Sequence, residues 1–190
     1  MRTLIFLLLF TSLSARAAED DSTKAYDFLN QVTSQIAAKR ADTSVCYIVD
    51  TSRFFLFGER LSITDSFYTQ KDKKVASPIS KRDSADIMSA IINPKKACFN
   101  AQRLNSAVVI SSEQLIALKN KVGWAEMLKQ LNIKHGYFYM SFPIFFDNGN
   151  KALFFCDYRC GGLCGGGSIS IYEDIKGVWT RTILLSGWEY

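Results

Sequence analysis

The spacing of apolar positions divides the chain into a mainly helical first part and a strand-rich last part. Phe28, Leu29, Val32 and Ile36 recur at helical intervals, which predicts an amphipathic helix over 20–40. Asp20, Asp21 or Ser22 can cap its start, and Lys39 and Arg40 suit the negative end of its dipole. Residues 45–50 and 54–57 are rich in β-branched and aromatic side chains and read as strands. The polar stretch 70–83, with Pro78, predicts a loop, and 84–92 a short helix ending before Pro94. A strand over 107–110 leads to Ser111 or Ser112, either able to cap a helix through Lys119. Trp124, Met127, Leu128 and Leu131 share one face of a further helix over 124–131.

Beyond Gly136 the period changes. Residues 137–146 are strand-like, Asp147-Asn148-Gly149-Asn150 is a turn signal, and 151–158 is a second strand. A glycine-rich loop is expected over 159–167. Ile169 and Ile171 then alternate with Ser168 and Ser170 in a strand over 168–173, and Lys176-Gly177 turns the chain into a fourth strand over 178–185. Trp188 is expected to close the end. Such short connections imply an antiparallel four-stranded meander. The expectation is therefore one α+β domain over 18–190, with N-terminal helices packed on a curved antiparallel sheet. Aromatics fall on both faces of 138–146, so a helix, an apolar ligand or a partner protein must cover the second face.

Residues 1–17 read as a secretory signal peptide. Arg2 supplies the positive start, residues 4–10 the apolar run, and Ala15-Arg16-Ala17 the small-x-small cleavage pattern, giving an expected mature start at Ala18. That run is far below the ~20 residues needed to cross a bilayer, and no later stretch is long enough, so no transmembrane segment is expected after cleavage. No Asn-x-Ser/Thr sequon occurs, which favours a bacterial periplasmic or secreted protein over a eukaryotic glycoprotein. Loss of Arg2 and Arg16 takes the basic count from 23 to 21 against 18 acidic residues, so the charge falls from +5 to +3. This excess is too small, and its short basic runs too poor in aromatics, for nucleic-acid binding.

Export makes disulfides the default state of the five cysteines. The most specific feature is Cys160-Gly161-Gly162-Leu163-Cys164-Gly165-Gly166-Gly167. One reading is a Cys160–Cys164 staple across a flexible loop between strands, with Gly161, Gly162, Leu163 and Gly165 as binding candidates. A zinc site would use Cys156, Cys160 and Cys164 with His135 or Asp157, but the spacing fits no standard knuckle. Redox catalysis lacks the Cys-x-x-Cys spacing, and a phosphate cradle lacks a following helix. Cys46 and Cys98 flank the first strand and second helix and are expected to pair over long range, leaving Cys156 as a buried thiol. His135 is the single histidine, and no spacing singles out a nucleophile or carboxylate for it.

The stretch 109–188 resembles a module of uncharacterised exported bacterial proteins. The resemblance rests on Val109-Ile110-Ser111-Ser112-Glu113, Trp124, Gly136, Ser141-Phe142-Pro143-Ile144-Phe145, Lys151-Ala152-Leu153, Cys160-Gly161-Gly162-Leu163-Cys164-Gly165 and Gly177-Val178-Trp179. It implies a β-meander fold and an exported location, and transfers no active site. The functional expectation is a non-catalytic, disulfide-stabilised binding domain with a protein partner or, secondarily, a small apolar ligand. No metal or cofactor is expected. The alternative is a small periplasmic hydrolase or thiol-redox enzyme using the Cys160–Cys164 loop and His135.

Overall fold

The computed structural model describes residues 22–39, 46–50, 66–68, 74–76, 79–92 and 98–190. The expected signal peptide and the expected strand over 54–57 lie outside the described residues. The first helix, α1, spans 22–38 and buries Phe28, Leu29 and Val32. Next come β1 (Cys46–Val49), β2 (Ser66–Tyr68), β3 (Lys74–Ala76), α2 (Lys81–Ile92) and β4 (Ala107–Ile110). Then follow α3 (Ser112–Val122), α4 (Trp124–Gln130), β5 (Tyr137–Met140), β6 (Ile144–Phe146), β7 (Lys151–Arg159), β8 (Gly165–Ile175) and β9 (Val178–Glu189).

The class is α+β, but the large sheet is mixed rather than wholly antiparallel. Its order is β4-β1-β5-β7-β8-β9, with β6 pairing the far end of β7. β1 runs parallel to both β4 and β5, whereas β5, β7, β8 and β9 form the antiparallel meander. The parallel part follows from connection length: α3 and α4 lie between β4 and β5, and a parallel return needs such a crossover. Helices therefore alternate with strands in the first half instead of preceding them all.

Other boundaries move as well. The strand expected over 137–146 divides into β5 and β6 around Ser141-Phe142-Pro143, since proline cannot donate to a ladder. The break stays bonded to β7: Ser141 N donates to the Phe155 carbonyl at 3.1 Å, and Phe155 N donates to Ser141 Oγ at 3.1 Å. The stretch 70–83 is not all loop, for β3 pairs antiparallel with β2 and α2 starts within it. Ser80 is the cap of α2, its Oγ accepting from Asp83 N at 3.1 Å and donating to the Asp83 carboxylate at 2.6 Å.

Strand β7 is buried on both faces. Ala152 and Phe154 face α1, whose Phe28 meets Phe145, Phe154, Tyr172 and Trp179 edge-on at 5.1–6.3 Å between ring centres. Leu153 and Phe155 face the other way, with Ile169 and Ile171 of β8, onto Ile87 and Ile91 of α2. Leu115 of α3 and Met127 of α4 cover Val49, Ile110 and Tyr137 on the parallel part. Helices thus cover both faces of the aromatic strand β5: Phe138 packs in the α1 core and Tyr137 under α3 and α4.

Strand β9 is an edge of this sheet. At its start, glutamines of α1 occupy the outward backbone. Trp179 N donates to Gln31 Oε1 at 3.0 Å, Gln35 Nε2 donates to the Trp179 carbonyl at 2.9 Å, and Gln31 Nε2 donates to the Gly177 carbonyl at 3.1 Å. Further along, two register shifts against β8 bend the strand. Replacing Phe28 by Ala opens a cavity among four aromatic rings and is expected to destabilise the fold by about 3–5 kcal/mol, read from denaturant midpoints.

Candidate functional site

The exposed end of the meander gathers the stapled loop, a polar knot and a groove. Cys160 and Cys164 are disulfide-bonded with their Cα atoms 5.1 Å apart, and Cys160 N donates to the Cys164 carbonyl at 3.1 Å. The bridge closes a five-residue projection from the end of β7. Gly162 faces open space and Leu163 stands 89% exposed at its tip, while Gly161 lies beside the Cys164 side chain. Gly165, expected in the loop, instead begins β8. Its φ is +145°, and a Cβ there would overlap the Tyr158 carbonyl.

Cys46 and Cys98 are not bridged, contrary to expectation. Cys46 is buried at the start of β1, whereas Cys98 is exposed beside the far end of that strand, where Phe99 N donates to the Asp50 carbonyl at 2.8 Å. Four strand residues, about 13 Å of rise, separate those ends, and a disulfide needs Cα atoms within about 7 Å. Cys156 is partly exposed rather than buried, and it too is outside any disulfide. With Cys160 and Cys164 joined, two of the three thiolates considered for zinc are consumed, and no cluster of three or more His, Cys, Asp or Glu among the described residues could hold a metal.

His135 is exposed, and its carbonyl accepts from the Tyr158 hydroxyl. The next residue, Gly136, packs against the stapled loop so closely that a Cβ would lie 2.9 Å from the Cys160 Cα. The structure therefore places the His135 backbone beside the loop, through the pairing of Tyr137 with Arg159.

Behind the loop, Asp157 is only 3% exposed and ties the last residues of the chain to β7. Arg159 Nε donates to Oδ2 at 2.8 Å, and Trp188 Nε1 and the Tyr190 hydroxyl reach Oδ1 at 3.2 and 3.3 Å. The Arg159 guanidinium stacks on the Tyr190 ring at 3.8 Å and donates to its hydroxyl. The Trp188 indole stacks on Phe155 at 5.8 Å and lies over Gly167, where a Cβ would overlap the ring. This knot was invisible in the sequence, because it depends on the β7–β8–β9 register.

On the α1 side of the same strands lies a groove of about 870 Å³, floored by Gly166, Ser168, Gly187 and Cys156 and bounded by Arg181 and Glu189. A Cβ on Gly166 would sit 2.7 Å from the Trp188 carbonyl, so packing requires glycine there. Gly187 differs: its nearest neighbours would be 3.7 Å away and its φ is not left-handed, so neither space nor strain demands glycine. Next to the floor, burial pushes the Tyr172 hydroxyl up to about 12, with Cys156 adding to the rise and Arg181 opposing it.

Comparison of the chain with protein-family models, curated proteins and solved structures finds no match. No helix among the described residues is long and apolar enough to cross a membrane.

The two kinds of glycine separate experimentally. Gly167→Ala is expected to lower the melting temperature by forcing Trp188 off its seat, and Gly187→Ala to leave it unchanged or raise it slightly, with a gain in unfolding free energy of up to about 1 kcal/mol. Tyr172 gives a pH signature. Its folded-state value lies above the unfolded one near 10, so its contribution is complete below pH ~10 and is lost as pH rises through about 12. Unfolding titrations between pH 9 and 12 should show an alkaline loss on the order of 2 kcal/mol that Tyr172→Phe abolishes.

Proposed function

We propose that the chain is an exported, non-catalytic interaction domain that binds another protein through the stapled end of its meander. Leu163 carries this reading. An apolar side chain 89% exposed, at the tip of a loop closed by a disulfide, presents an anchor whose backbone entropy is already spent before binding. Gly162 before it adds no side chain and Cys164 after it is drawn back into the disulfide, so a partner's pocket can enclose the exposed leucine. An oxidised loop also matches the compartment expected from the leader and from the resemblance to exported bacterial proteins. The joined sulfurs hold the loop in one shape, the role a recognition element needs.

The test has two readouts in the native host. Fractionation and intact mass should find the chain outside the cytoplasm and shortened to Ala18. Chemical cross-linking should then give a discrete adduct that Leu163→Asp reduces by about tenfold, equivalent to ~1.4 kcal/mol, while Ile116→Asp on α3 leaves it intact. An adduct indifferent to Leu163→Asp, or a chain retained uncleaved in the cytoplasm, rejects the proposal.

A further inference from the structure

The groove beside the loop has features that the fold does not require. Gly187 lies in the interior of β9, where a glycine weakens a strand, yet a Cβ would meet only ordinary contacts at 3.7 Å. Its bare backbone lowers the floor at the middle of the groove. At one end stands Arg181, which pairs with Tyr172 across the ladder, and at the other Glu189, which pairs with Gly166. Neither makes an ion pair among the described residues, and the Ser168 hydroxyl on the floor between them makes no hydrogen bond there. Eight residue steps along β9 separate the two charges, at most about 26 Å of extended chain and less across the two register shifts. A glycine floor admits close approach of another backbone, and opposite charges at the ends select an occupant of matching polarity.

We infer that this groove takes an extended peptide segment of about seven or eight residues, carrying an acidic side chain at the Arg181 end and a basic one at the Glu189 end. This rests on the reading of the chain as an interaction domain and names what lies alongside the Leu163 anchor. The length is set by the separation of the charges. The charge order gives the segment a direction, which a flat apolar molecule would lack. Ser168 supplies a hydroxyl to the peptide backbone at mid-groove.

The test uses the full chain with fluorescent octapeptides of Thr and Val. One set bears Asp first and Lys last, a second set the reverse order, and a third no charge. One charged order is expected to bind at least about fivefold more tightly than the other, and added salt to reduce the difference. The double variant Arg181→Glu with Glu189→Arg should invert the preferred order. Gly187→Leu should weaken binding of the preferred peptide by about tenfold with an unchanged melting temperature, and Ser168→Leu gives a second way to fill the floor. Binding that ignores charge order, or that survives both filled grooves, overturns the assignment. Should the Leu163-dependent adduct persist while the octapeptides fail, the interaction-domain reading stands and the peptide groove falls. An adduct indifferent to Leu163→Asp, with the octapeptide preference intact, removes the Leu163 anchor and leaves the peptide groove standing.

Discussion

The two-sided burial of β7 is the constraint on which the rest of the structure depends. Ala152, Leu153, Phe154 and Phe155 are consecutive and all buried, so successive side chains enter two different cores. Such a strand cannot lie against solvent on either face. It needs α1 on one side and α2 on the other, and it fixes the neighbours through which each helix is held. The meander is consequently the middle layer of a three-layer arrangement, although its own connections are as short as those of a simple hairpin sheet.

The local elements were largely legible in the sequence. The helical spacing of Phe28, Leu29 and Val32 marked the face that α1 buries, and Asp147-Asn148-Gly149-Asn150 marked the turn between β6 and β7, where three of the four residues have positive φ. The Cys160–Cys164 pairing was one of the readings that the loop's spacing offered, and the structure shows it. What escaped was long-range: β1 lying between β4 and β5 in parallel is a matter of tertiary order that no local period records. The pairing of Cys46 with Cys98 failed for the same reason, since proximity to the same elements says nothing about which end of a strand each cysteine meets.

The glycine run shows why the candidate site was only half legible. Composition suggested a loop, because five glycines in eight residues lower strand propensity. In the fold, Gly165, Gly166 and Gly167 are strand residues whose missing side chains make room for the Tyr158 carbonyl, the Trp188 backbone and the Trp188 ring. The residues that make this necessary lie more than twenty positions away in sequence or on another strand. Asp157 belongs to the same class: the sequence offered it only as a conceivable zinc ligand, and the arrival of Trp188 and Tyr190 explains a carboxylate buried there.

The amide contacts of Gln31 and Gln35 with Gly177 and Trp179 bear on self-association. A long outer strand is a template for another chain, and here two side chains of a helix stand where a neighbouring strand would otherwise bond. Masking of the start of that edge is thereby coupled to the docking of α1. A molecule whose meander has formed before its first helix has settled leaves the start of that edge open to pairing with another strand.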